Sequence, residues 1–150
     1  MDVIAQQIRP RIEALIAEFA WRIDHEEGRG VAKLFTPGGV YALGGVGELN
    51  GREQIAGFYD WRRSGGPRTS RHLFTNLHLE TLDLDTGRAR GTCVLSLNAA
   101  HGEGPHPLSP VMIADYSDEY QRAENGEWLF ARRDVSVVFG EIPGIAEGSP

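Results

Sequence analysis

Apolar residues recur at Ile8, Ile12, Leu15, Ile16, Phe19 and Ile23, three or four positions apart, and this spacing predicts an amphipathic helix that buries one stripe. Pro10 fits only a first turn, so either the helix begins near Arg9 or a shorter helix over residues 2–8 precedes it. After a break over residues 24–30, Val31, Ala32, Leu34 and Phe35 read as a second short helix. Thr36-Pro37-Gly38-Gly39 stops it, and Val40-Tyr41-Ala42-Leu43 reads as a short strand. Gly44-Gly45-Val46-Gly47 is a loop without the lysine and following Ser or Thr of a phosphate-binding loop. Past the Asn50-Gly51 turn, Ile55, Phe58, Tyr59 and Trp61 return to helical spacing and predict a third helix over residues 52–61.

From residue 71 onward the pattern is that of strands. Residues 71–84, 88–100, 111–122 and 127–139 are β-rich runs, separated by Asp85-Thr86-Gly87, a loop over residues 102–110, and Glu124-Asn125-Gly126. Asn125-Gly126 is the strongest hairpin signal among these breaks. Helices first and hairpin-connected strands afterwards predict an α+β fold, with three N-terminal helices on one face of a curved, mostly antiparallel sheet that encloses a pocket. Residues 141–150 read as a flexible tail or one swapped between subunits.

Composition narrows the function. The 150 residues suit one domain spanning 1–150, able to bury roughly 68–70% of its unfolded surface without disulfides. A net charge of -6 with no basic stripe argues against nucleic acid as a partner. The single Cys93 excludes an intrachain disulfide and a multi-cysteine zinc site, and with no HExxH or His-x-His spacing no metal is expected. No run of 18 apolar residues and no basic leader occurs, so a cytoplasmic protein with no membrane partner is expected.

Three residues stand out as candidate chemistry. In RTSRHLFTNLHLE, strict alternation puts His72, Phe74, Asn76 and His78 on one face and Leu73, Thr75, Leu77 and Leu79 on the other. His72 is then a general base or a hydrogen-bonded strand histidine. Asp24 ends the first helix, where the negative helix terminus disfavours a carboxylate; it serves a site or caps the next helix. Arg133 shares a strand face with Leu129, Ala131, Val135, Val137 and Phe139, so it meets either an anionic ligand or an internal carboxylate.

The stretch AWRIDHEEGRGVAKLFTPGGVYALGGVGELNGREQIAGFY resembles the opening of SnoaL-like proteins of the NTF2-like superfamily. RHLFTNLHLE and YSDEYQRAENGEWLFARRDV resemble that family's His-x-x-Thr-Asn strand and final hairpin, so the likeness spans roughly residues 8–140. It is nearest in motif to the branch of scytalone dehydratase, bile-acid dehydratase and hexachlorocyclohexane dehydrochlorinase. The resemblance implies a cone-shaped fold and a His-Asp dyad that works without a cofactor, with the aspartate on Asp24, the histidine on His72 and the active-site arginine on Arg133. The pattern departs at Phe19 and Ile23, where those enzymes carry a lysine and a tyrosine, and a second histidine reaches His101 only through a gap.

The implied activity is a lyase or isomerase acting on a small apolar cyclic, polyketide-like or steroid-like molecule. Arg133, with Tyr41 or Tyr116, would stabilise the departing group, and Phe19, Phe58, Trp61, Phe74 and Met112 would wall the cavity. A homo-oligomer, dimer or trimer, is expected. Two other readings compete: a ligand-binding or subunit-assembly module, and epoxide hydrolysis, which needs a second carboxylate beside Arg133 that neither Asp115 nor Asp118 evidently supplies.

Overall fold

The computed structural model describes residues 2–143. Helix α1 (Val3–Glu26) runs unbroken through Pro10, so neither expected starting point is correct. Asp2 caps it by accepting from the Ala5 N–H at 2.7 Å, and this anchors two turns ahead of the proline. Pro10 has no N–H for the Gln6 carbonyl, but Gln6 is exposed and water can take that place. Ile12, Leu15, Ile16 and Phe19 form the buried stripe, each contributing roughly 1.5–3 kcal/mol of transfer free energy.

The exit from α1 is a tight reversal. Glu27 takes a left-handed φ of 57° and Gly28 one of 84°, and the Gly28 N–H bonds the Arg22 carbonyl at 2.8 Å. A Cβ on Gly28 would stand 2.3 Å from Cδ1 of Tyr59, so only glycine lets the following helix close on this corner. That helix, α2 (Gly51–Ser64), buries Ile55, Phe58 and Tyr59. Gln54 reaches back to accept from the Asn50 N–H at 2.8 Å.

Among the described residues two α-helices are present, where three were expected. Val31–Leu34 is a single 3-10 turn closed by Val31 N–H to Gly28 and Lys33 N–H to Gly30 carbonyl bonds. Four residues between the left-handed Gly30 and the extended Phe35 hold i→i+3 bonds but leave no room for a run of i→i+4 bonds. Strand β1 (Phe35–Leu43) begins at once and absorbs Thr36-Pro37-Gly38-Gly39 as an irregularity in its pairing.

The sheet has six strands in the order β2-β1-β6-β5-β4-β3. Strands β3 (Arg68–Asp83), β4 (Arg88–His101), β5 (Pro110–Arg122) and β6 (Trp128–Gly140) form the expected antiparallel meander. β1 pairs parallel to β6 and antiparallel to the short β2 (Gly47–Asn50), which makes the sheet mixed. The inner faces of β4 and β5, with Cys93, Leu95, Leu97, Ala114 and Tyr116, share one apolar core with the stripe of α1.

Bulges overturn three face assignments, the first in β6, where a slip opposite Glu119 and Tyr120 leaves Ala131 unpaired and turns Phe130 to the buried face of Arg133 in place of Leu129. In β3 the pairing slips by one residue between Thr75 and His78, around Asn76 at φ 58°, so Leu77 and Leu79 turn inward and His78 faces out. In β6 a slip opposite Ile113 and Ala114 puts Phe139 beside Ile113, and Phe139 is exposed instead of sharing the buried face of Arg133. Most of the expected tail, residues 144–150, lies outside the described residues.

Candidate active site

Asp24 stands in the last turn of α1 and His72 near the start of β3, before the bulge, so the inward orientation of His72 follows simple alternation from Ser70 to Phe74. Nδ1 of His72 lies 2.6 Å from Oδ1 of Asp24. The backbone N–H of His72 donates to Oδ2 at 2.8 Å, and the Ser70 hydroxyl donates to Oδ1 at 2.8 Å. The carboxylate thus accepts from a ring, a backbone amide and a hydroxyl, all on one strand.

Burial alone would raise the Asp24 pKa, but the hydrogen bonds and charge of His72 outweigh it, with help from Ser70, and hold the carboxyl below its ordinary range. An ionised carboxylate only accepts, so Nδ1 carries a proton, and in the neutral ring it is Nε2 that has the lone pair. The side chains of His72 and Asp24 are only 11% and 6% exposed. Helix unfavourability at Asp24 is therefore offset by three donors that the sheet supplies.

His72 lines a cavity of about 90 Å³, several times the roughly 10–15 Å³ that one water needs. Its walls come from the inner sheet face at Tyr41, Leu95, Leu97, Met112 and Tyr116, and from α2 at Phe58, Tyr59 and Arg62. Ile142 and Pro143 close one side. The hydroxyls of Tyr41 and Tyr116 share a hydrogen bond at 2.9 Å. Burial pushes the phenols of Tyr41, Tyr59 and Tyr116 up, so all three stay protonated at neutral pH.

Of the two partners open to Arg133 the structure supplies the internal carboxylate, away from the cavity that the resemblance implied. Arg133 lies directly across β5–β6 from Asp118, and Nε and Nη2 donate to the two carboxylate oxygens at 2.8 and 3.1 Å. Both side chains are wholly buried. The rings of Phe19, Phe74, Tyr116 and Phe130 surround the guanidinium with centroids 4.2–5.0 Å away, and Tyr120 donates to Asp118 at 2.9 Å. Burial disfavours the guanidinium charge, but Asp118 more than compensates and raises the pKa.

Arg133 does not line the cavity. The carboxylate sought for epoxide hydrolysis does stand beside it, as Asp118, but inside this closed pair and off the cavity wall. Of the expected wall residues, Tyr41, Phe58, Met112 and Tyr116 are in place. Phe19 and Phe74 pack one layer behind, edge-on at 6.0 Å, because they enclose Arg133. Trp61 packs on Phe58 at 5.9 Å and does not reach the cavity. His101 ends β4 exposed, and His25 stacks on Trp21 at 4.0 Å on the surface.

Sequence reasoning missed Ser70, Tyr59 and Arg62. Ser70 was readable, two positions before His72 on the same strand face. Arg62 was readable as well: it continues the stripe of Ile55, Phe58 and Tyr59 at the seventh position. Among the described residues no group of three His, Cys, Asp or Glu could hold a metal ion, and no helix is long and apolar enough to cross a membrane.

Comparison with known proteins agrees with this architecture. The SnoaL-like domain family matches residues 7–134. Searching curated proteins finds no match. Among solved structures, a protein from Catenulispora acidiphila in complex with S-DNPA is 22% identical, with a TM-score of 0.75 over 88% of this chain and 94% of that one. A protein from Novosphingobium aromaticivorans named for scytalone dehydratase is 15% identical, with a TM-score of 0.74 over 91% and 93%. ActVI-ORFA from Streptomyces coelicolor is 19% identical, with a TM-score of 0.75 over 89% and 98%.

Proposed function

The chain belongs to the SnoaL-like domain family, within the NTF2-like superfamily, and on that premise we propose that it is a cofactor-independent lyase or isomerase for a small cyclic molecule. The observation that carries this reading is the Asp24–His72 pair, whose Nε2 is uncommitted at the wall of an apolar cavity. Nε2 takes a proton from a carbon that a neighbouring carbonyl has acidified. The C–H electron pair becomes a C=C bond and expels a β-hydroxyl or similar group, or it forms an enolate that His72 reprotonates elsewhere.

Asp24 fixes the tautomer and stabilises the imidazolium, which then returns its proton to the departing hydroxide as water. Of the paired Tyr41 and Tyr116 hydroxyls, the one that accepts keeps its own proton for the oxygen on which charge develops. Arg133 is left out of the step, because it is paired with Asp118 and does not line the cavity.

The test is turnover of cyclic β-hydroxy ketones and their double-bond isomers by wild type, His72→Ala and Asp24→Asn. Loss of turnover by about 10²–10⁴-fold in both variants is expected. Equal turnover in all three would remove the dyad from the mechanism, and no turnover of any of these substrates by wild type would leave ligand binding without chemistry as the function.

A further inference from the structure

Ile55, Phe58, Tyr59 and Arg62 occupy successive inward positions of α2, and the fourth of them carries a charge to the cavity wall. Arg62 donates through Nη2 to the Pro143 carbonyl at 3.1 Å and lies over the Phe58 ring at 5.3 Å. Its Nε–H is shut off from solvent and has no acceptor among the described residues. Arg9, Arg22, Arg29, Arg63, Arg132 and Arg133 each have a carboxylate partner; Arg62 has none among the described residues.

We infer that the substrate carries a carboxylate and that Arg62 binds it, which makes Arg62 the residue that selects acidic over neutral molecules in this cavity. A buried guanidinium without an anion is unfavourable, and a planar carboxylate satisfies it with charge-assisted hydrogen bonds. Arg62 is surrounded by Tyr59 and Tyr41, which stay neutral, and burial lowers its pKa with no carboxylate to offset the effect.

The wall as a whole favours an anion. Arg62, Arg63 and Arg68 face it against one acid, Glu27; Arg63 is paired with Asp60 and Glu27 with Arg29, which leaves Arg62 and Arg68 without a carboxylate among the described residues. This local excess of positive charge occurs in a chain whose net charge is -6. Of the five guanidinium N–H groups of Arg62 one is given to Pro143, and the Nη groups that remain suit a carboxylate on an otherwise largely apolar ring. The inference rests on the cavity being the substrate site, but not on His72 being the base.

Phenyl-, naphthyl- and biphenyl-acetates, each matched with its neutral amide, provide the probes, with affinity read by calorimetry on the full chain. Wild type should bind the acids about tenfold or more tightly than the amides, one charge-assisted bond's worth. Arg62→Met should erase that preference while binding the amides as before, and Arg62→Lys should keep part of it. His72→Ala should keep all of it, so loss of the dyad mechanism and loss of this inference are separate results. Equal affinity of wild type for acid and amide throughout the series, or a preference that survives Arg62→Met, overturns it.

Discussion

Asp24 and Asp118 each hold a nitrogen base within hydrogen-bond distance on the inner side of the same sheet, yet the two pairs leave different things unspent. At Arg133 both carboxylate oxygens and two guanidinium nitrogens are used on each other, Nη1 is left without a partner among the described residues, four aromatic rings enclose the charge, and neither group lines the cavity. At His72 the carboxylate is equally committed, but the imidazole gives only Nδ1 to it and stands at the cavity wall with Nε2 to spare. A buried charge pair becomes available for chemistry when one member keeps an atom that can exchange a proton with a ligand. Arg133 has no such atom within reach of the cavity, and its guanidinium does not give up a proton in any case.

The contrast breaks first at the dyad. Asp24→Asn puts an amide NH2 among three donors, so the substituted side chain cannot satisfy Ser70, the His72 N–H and Nδ1 together. Turnover should fall by about 10²–10⁴-fold while ligand affinity holds; a matching fall in affinity would mean that the pair shapes the cavity instead of acting in it. The second break is at the closed pair. Arg133→Met leaves Asp118 buried and uncompensated, and urea unfolding should show a loss of about 3–5 kcal/mol. Asp118→Leu combined with Arg133→Met should recover most of it, with a residue from the Tyr120 hydroxyl that loses its acceptor. A double variant as unstable as the single one would show that the arginine stabilises through the rings around it.

Much of this contrast was legible before any coordinates. The period-two pattern set the long strands to within about three residues at their ends, and alternation alone aimed His72 inward, because no bulge intervenes between Ser70 and Phe74. The same rule failed at His78, Leu129 and Phe139, each separated by a bulge from the residue it was read against. Bulges depend on pairing with a neighbouring strand, which periodicity along one strand does not encode. The partner of Arg133 was hidden for a related reason: Asp118 faces it only through the β5–β6 register. Arg62, by contrast, was readable from helical spacing, but an arginine at the end of an apolar stripe looks like a surface residue until the sheet opposite is known.

Tyr116 belongs to both regions and sharpens the comparison. Its ring lies 4.3 Å from the Arg133 guanidinium while its hydroxyl meets Tyr41 at the cavity. Tyr116→Phe keeps the ring and deletes the hydroxyl, so stability should fall by only about 0.5–1.5 kcal/mol. Turnover should fall by about tenfold, the worth of one hydrogen bond to developing charge. An unchanged turnover would assign the tyrosine wholly to the closed pair.

The gentlest probe is acid. Asp24 titrates below its ordinary 3.8 in the folded chain, so in the window just under that value the unfolded chain binds more protons than the folded one. Its contribution to stability is therefore complete above pH 3.8 and is lost as the pH falls through the lower folded value. Asp24→Asn has no such proton to bind. The stability difference between wild type and this variant, followed by urea unfolding from pH 7 to 3, should stay level down to about pH 4 and then close. A gap that widens on acidification would mean that Asp24 is protonated in the fold, and then Nδ1 of His72 need not carry the proton that leaves Nε2 free to act as a base.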